Sequence, residues 1–224
     1  MTEQEKILSH DHLRTPRAAA CAGIVFSVLF IISLVLLRLC IPVDPWEEGA
    51  WLHQQWKTVS FALNLLPFAG IAFLWFIGVL RDRIGAFEDR FFATVFLGSG
   101  LLFLALLFVS AGLAGSIIMI YGPKSEKLIS SEIYHFVRVL IYHITHVYML
   151  RMEAVFMICA STISIRTAIL PRWMAFVGYA SALLLLFTFK YFTWIPLVFP
   201  LWVFIISIYV LLVNLKIRDT QNQQ

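Results

Sequence analysis

Charged residues are scarce in this chain of 224 residues. They make up 13% of the sequence, whereas 61% of the residues are hydrophobic. Soluble domains carry roughly 25% charged residues, about twice this share. The charges that remain lie in short clusters between long apolar runs. A soluble protein of this length cannot bury so many apolar side chains in its core, whereas a lipid bilayer can cover them. The composition therefore predicts an integral membrane protein.

Cysteine pairs and common catalytic motifs are also missing. The three cysteines, Cys21, Cys40 and Cys159, form no CxxC pair. Cys21 and Cys40 lie near opposite ends of one apolar run and therefore cannot bridge within it. The sequence contains no GxSxG, no HExxH and no phosphate-binding glycine loop with its lysine. The sequence therefore offers no catalytic residue, and an enzyme is not the favoured class.

The net charge of +4 does not predict nucleic-acid binding. Basic residues flank the apolar runs and build no continuous patch, which is typical of membrane anchoring. The expected partner is the lipid bilayer, with a membrane-protein partner or a second copy of the chain as further candidates.

Long apolar runs define six predicted transmembrane helices. They cover residues 18–41, 58–80, 91–121, 139–165, 173–189 and 195–215. A straight crossing needs about 20 residues at a rise of about 1.5 Å each. Segment 44–57 carries Trp46, Trp51 and Trp56, and we expect it to lie at the membrane interface, where tryptophan is favoured. The expected fold is an all-α bundle of six spans, with residues 1–224 forming a single membrane domain.

The basic residues set the expected orientation. One set of loops holds ten of them: Lys6, Arg14, Arg17, Arg81, Arg83, Arg90, Arg166, Arg172, Lys216 and Arg218. The other set holds Lys57, Lys124, Lys127 and Lys190, with Arg38 near its edge. Cytoplasmic loops carry an excess of lysine and arginine. Both termini are therefore expected in the cytoplasm.

Two segments carry a resemblance to a group of known proteins. Residues 73–108 read FLWFIGVLRDRIGAFEDRFFATVFLGSGLLFLALLF, and residues 169–186 read ILPRWMAFVGYASALLLL. The first resembles a stretch of uncharacterised bacterial six-span membrane proteins, and the second resembles the fifth span of similar small families. The resemblance implies a multi-pass protein of the bacterial cytoplasmic (inner) membrane. It supplies no activity and no functional residues.

The third span is rich in small residues. Gly112 and Ser116 are four residues apart, as are Ala111 and Gly115. Small residues at this spacing let two helix backbones approach closely. We therefore expect Gly112, Gly115 and Ser116 to lie at a helix–helix contact.

The fourth span is unusually polar. At 100° per residue, one face gathers seven polar side chains, with Arg151 as an exception on the opposite face. The candidate polar path is Glu132, His135, Arg138, Tyr142, His143, His146, Arg151 and Glu153. A charge at the centre of a bilayer costs about 2.5–3.5 kcal/mol on insertion scales. This face must therefore meet other helices or a water-filled cavity.

Three functions fit such a face. The first is a small transporter, or an ion- or proton-conducting protein, that uses the fourth span as its polar path. The second is a non-catalytic membrane subunit or scaffold whose polar stripe binds a partner helix. The third is a haem- or metal-binding redox protein, since His143 and His146 lie on neighbouring turns, as chelation requires. A cavity along the fourth span would favour transport, and an exposed stripe would favour a missing partner.

The orientation is testable by thiol labelling in a background that lacks the native cysteines. Single cysteines at Gly85 and Gln221 are expected to react only with a reagent on the cytoplasmic side. A cysteine at Ser125 is expected to react only from outside, because the loops alternate across the bilayer. Labelling of position 85 from outside would overturn the orientation.

Overall fold

The fold is a bundle of long α-helices. The computed structural model describes residues 3–42, 44, 50–84, 90–121, 132–167, 170–187 and 194–221. The helices are α1 Glu3–Cys40, α2 Ala50–Ile84, α3 Arg90–Tyr121, α4 Glu132–His143, α5 Leu150–Thr167, α6 Arg172–Phe187 and α7 Val198–Gln221. A π-helical segment, Ile144–Met149, joins α4 to α5, and a 3₁₀ turn, Ile195–Leu197, precedes α7. Within these ranges there is no strand, so the all-α expectation is confirmed.

Five of the described helical stretches are long and apolar enough to cross a membrane. They are Ala18–Cys40, Trp51–Arg81, Phe91–Tyr121, Glu132–Thr167 and Ile195–Val213. Their outward surfaces carry large apolar side chains, such as Phe68 at 63% and Trp75 at 68% exposure, which lipid would cover. Helix α6 is also apolar but has only 16 residues. The structure is thus a helical bundle suited to a membrane, with five stretches able to cross it and one shorter apolar helix.

Eight phenylalanines from five helices form the centre of the bundle. This phenylalanine cluster consists of Phe26, Phe30, Phe73, Phe76, Phe96, Phe103, Phe156 and Phe199, all buried. Ring centroids lie 4.5 Å apart for Phe26 and Phe73, and 4.4 Å apart for Phe96 and Phe156. Edge-on and offset ring pairs contribute about 0.5–1.5 kcal/mol each beyond their buried area. The cluster therefore joins α1, α2, α3, α5 and α7 at one level of the bundle.

Helices α1 and α5 each pack against two other helices, and these contacts arrange the bundle. Helix α1 packs against α2 and α7, and α5 packs against α3 and α6. The Ser33 hydroxyl donates to the Ala62 carbonyl at 2.8 Å, which ties α1 to α2. Helix α6 packs mainly on α5 and touches α7 far less. The short helix thus lies at the edge of the bundle.

Several helices extend beyond the predicted apolar runs, among them α1 and α2. Helix α1 begins at Glu3, well before residue 18. Helix α2 begins at Ala50, so residues 50–57 belong to the same helix as the second span. No proline or glycine separates Ala50 from residue 58, so nothing breaks the helix there. Residues 45–49, and the loop positions Gly85, Lys124, Ser125, Lys127 and Lys190, lie outside the described residues.

The expected packing role of the third-span small residues is wrong. Among the described residues, a Cβ atom added at Gly112 or Gly115 meets no atom within 4 Å. Ser116 is exposed, and its hydroxyl donates to the Gly112 carbonyl at 2.9 Å. The close contact on α3 is at Gly100, where a Cβ would lie 2.7 Å from Ile77 Cδ1. Spacing alone marks a helix face that permits close approach, and it does not say whether a neighbour is there.

Paired substitutions on α3 test this assignment. Gly100→Leu is expected to lower the free energy of unfolding by about 1–3 kcal/mol, because the added side chain overlaps Ile77 and the Phe156 ring. Gly112→Leu on the same helix is expected to change it by less than about 0.5 kcal/mol. Thermal unfolding in detergent measures both. Equal losses for the two variants would show that the open face of α3 is in fact packed.

Candidate functional site

A cavity of about 290 Å³ lies at one end of the bundle. Its walls come from the end of α1, the start of α2, the end of α3, the first half of the fourth span and the turn before α7. Ligand pockets typically measure about 300–1,000 Å³, so this cavity suits a small ligand. We call it the outer cavity, after the side that the basic-residue count assigns to it.

The polar face of the fourth span lines the outer cavity. The contributing side chains of this span include Tyr134, Arg138, Tyr142, Thr145 and His146. Opposite them lie aliphatic residues of α1, α2 and α3, together with Ser110 and Trp51. Three of the eight predicted path residues, Arg138, Tyr142 and His146, thus come together around one space.

Arg138 is held in place by its neighbours. The side chain is only 9% exposed. Its guanidinium donates to the Pro42 carbonyl at 3.1 Å and to the Tyr134 hydroxyl at 3.3 Å. The Tyr134 hydroxyl also accepts a hydrogen bond from Trp51 Nε1 at 3.0 Å, and the guanidinium lies over both aromatic rings, 5.7–5.8 Å from their centroids. Cation–π contact and hydrogen bonding therefore fix this cation at the cavity wall.

Arg38 is a second cation at the same cavity. It lies in the last turn of α1 and is half-buried. Like His146, it belongs to the lining of the cavity. Within the described part of the chain, the Arg38 side chain has no hydrogen-bond acceptor or acidic partner. A cation without an acceptor beside apolar walls is an unusual feature, because its donors are most easily satisfied by water or a ligand.

The π-helical segment positions His146. The wider turn brings His146 Nδ1 within 3.2 Å of the Tyr142 carbonyl and 2.9 Å of the Thr145 hydroxyl. The imidazole stacks on the Tyr142 ring with centroids 4.2 Å apart. Arg151 donates to the His146 carbonyl at 2.8 Å, so a side chain also bonds the backbone of the π-helical segment. Arg151 therefore bonds the backbone of the fourth span and does not belong to the described lining of the cavity.

The other predicted path residues lie elsewhere. Glu132 and His143 are exposed, and His143 Nδ1 lies 3.0 Å from the Val139 carbonyl. His135 is half-buried with its ring against Tyr134. None of these three belongs to the described cavity lining. The eight residues thus do not form one continuous path.

The proposed metal pair is divided between two environments. His146 lines the cavity, whereas His143 is exposed. Across the described residues, no three histidine, cysteine, aspartate or glutamate side chains come together as possible ligands. A zinc site needs at least three protein ligands. The geometry therefore gives the metal interpretation no support.

Glu153 is buried beyond the inner end of the cavity. It is fully buried on α5, and neither carboxylate oxygen has a hydrogen-bond partner among the described residues. The expected contacts with another helix do not form. Asn64 is exposed, and Tyr179 instead shares a 2.7 Å hydrogen bond with Thr162. Nothing in the described surroundings therefore compensates a negative charge at this position.

The sequence pattern did not identify Arg38, Trp51 or Tyr134 as part of the site. Arg38 interrupts an otherwise apolar run, and this interruption was the available signal. Trp51 and Tyr134 gave no such signal, because tryptophan and tyrosine near the end of a span are also typical of the membrane interface.

Comparisons with protein-family models, with curated proteins and with solved structures give no match. The site is therefore described from its geometry alone. The resemblance of segments 73–108 and 169–186 to bacterial six-span proteins stays an expectation.

Glu153 offers a direct test of the unpartnered carboxyl group. Glu153→Leu is expected to raise the free energy of unfolding by about 1–3 kcal/mol, since it removes a buried polar group that has no partner. Glu153→Gln keeps a polar group there and is expected to bring no such gain. Thermal unfolding in detergent compares them. A loss of stability in the leucine variant would show that the carboxyl group has a partner, contrary to the structure.

Proposed function

We propose that this chain is a small membrane carrier whose ligand site is the outer cavity. The observation that carries the proposal is the placement of the fourth-span polar face, since Arg138, Tyr142 and His146 line a cavity instead of facing outward. A scaffold that uses the same stripe to bind a partner helix would present it on the surface. The geometry therefore favours solute binding over partner binding.

The proposed topology has six crossings with both termini in the cytoplasm. It takes α6 as the fifth of the six spans, although its 16 residues cover only about 24 Å. The ten-to-five asymmetry of basic residues supports this orientation. The cavity then lies in the outer half of the bundle, and ligand enters from that side. The resemblance to bacterial six-span proteins supports placing the chain in the bacterial inner membrane.

A carrier fits the geometry better than an open channel. Phe30 belongs to both the cavity lining and the phenylalanine cluster, so the cluster forms the floor of the cavity. Buried rings packed this closely leave no room for a column of water. Passage to the other side therefore needs a change of conformation, which is how carriers operate.

A cavity-filling variant tests the proposal. Small molecules are first screened for those that raise the unfolding temperature of the purified protein, because a ligand that binds only the folded state stabilises it. Stabilising compounds are expected to accumulate in proteoliposomes that contain the wild-type chain. Ala114 lines the cavity, and the tryptophan of Ala114→Trp is expected to fill it, so this variant should lose both the stabilisation and the accumulation.

The matched control is Ala105→Trp, an exposed position on the same helix that is absent from the described lining. It is expected to keep both effects. A compound that stabilises Ala114→Trp as strongly as the wild type would place the binding site elsewhere. If the stabilising compounds do not accumulate in proteoliposomes that contain the wild-type chain, the proposal of a carrier is wrong.

A further inference from the structure

The charges around the outer cavity have one sign. Its described lining contains Arg38 and Arg138, together with His146, and no aspartate or glutamate. The two guanidinium groups are placed to attract an anion into this space. Around them the walls are mainly aliphatic, with Leu34, Leu37, Leu63, Leu66, Leu107, Ile117, Ile118 and Ile141. The site thus combines a cationic region with an apolar one.

The two arginines have different roles in this arrangement. Arg138 is fixed by the Pro42 carbonyl, the Tyr134 hydroxyl and two rings, so it supplies a positioned charge. Arg38 is half-buried, and its donors meet no acceptor in the described part of the chain. A guanidinium presents a planar fork of donors that matches the two oxygens of a carboxylate or phosphate. Arg38 is therefore the side chain available to a ligand.

From these observations we propose that the ligand is a single-chain amphipathic anion. Its oxyanion head is held by Arg38 beside the fixed charge of Arg138, and its apolar body lies against the aliphatic walls. The cavity volume of about 290 Å³ fits one short chain and not a two-chain phospholipid. The oxyanion is a carboxylate or a phosphate monoester. This inference rests on the proposed function, since it names the ligand class of the same cavity.

Matched eight-carbon probes test the head group. Octanoate, octyl phosphate, octanol and octylammonium are each measured by equilibrium dialysis against the full chain in nanodiscs of zwitterionic lipid, corrected with empty nanodiscs. At least one of the two anions is expected to bind about tenfold more tightly than octanol, because it gains charge-assisted hydrogen bonds. Octylammonium is expected to bind more weakly than octanol. The comparison of octanoate with octyl phosphate identifies the oxyanion.

Variants assign the preference to Arg38. Arg38→Gln is expected to lose the preference for anions while keeping the binding of octanol, and Arg38→Lys is expected to retain part of it, since lysine keeps the charge and loses the fork. The matched control is Arg81→Gln, an exposed arginine on α2 that is absent from the described cavity lining. It is expected to bind as the wild type does.

The possible failures are distinguishable. Equal binding of octanol and both anions, lost in Ala114→Trp, would overturn the anion proposal and leave the cavity as a binding site. An anion preference that survives Arg38→Gln would also overturn it. If all four probes bind Ala114→Trp as they bind the wild type, the cavity is not the binding site, and the proposed function is wrong as well.

Discussion

The rest of the structure depends on the phenylalanine cluster. Lipid is as apolar as a leucine side chain, so transmembrane helices gain little from hiding apolar surface and associate through close packing. Eight buried rings from α1, α2, α3, α5 and α7 supply that packing at one level of the bundle. The ends of α1 and α3 on one side of this level line the outer cavity. The cluster thus explains both what holds the helices together and why an empty space lies directly beside it.

The fourth span contributes to both the outer cavity and the phenylalanine cluster, and its helical geometry changes between the two. A regular helix carries the polar face of α4 straight on, but the π-helical segment at Ile144–Met149 shifts the register of everything after it. Two side chains bond backbone carbonyls at this segment: Thr145 donates to Ile141 and Arg151 donates to His146, each at 2.8 Å. The segment keeps Thr145 and His146 at the cavity and turns Phe156 into the cluster. One irregular turn therefore lets a single helix line a polar space and close an apolar core.

Much of the bundle was predictable from the sequence, because hydropathy reports directly on the solvent around a helix. The apolar runs correctly placed five long helical stretches. Of the side chains assigned to one polar face, Arg138, Tyr142 and His146 line the cavity, whereas Glu132 and His143 are exposed. The true start of α1 was missed, because hydropathy marks the lipid-facing part of a helix and not its end. Gly112 and Gly115 were misassigned because contact between helices depends on which neighbour is present. Arg38 and Trp51 join the site from other helices, and a helical wheel for one span contains no such information.

The boundary between the cavity and the cluster also determines how a ligand acts on the protein. A second, smaller cavity of about 70 Å³ lies on the far side, lined in part by Phe76, Phe96 and Phe156. The cluster is therefore the wall between two spaces, with Phe30 on the larger one. A ligand shifts a conformational equilibrium only by the difference in its affinity for the two states. Because Phe30 belongs to both the lining and the cluster, a ligand that fills the outer cavity bears directly on the ring packing that keeps the two cavities apart.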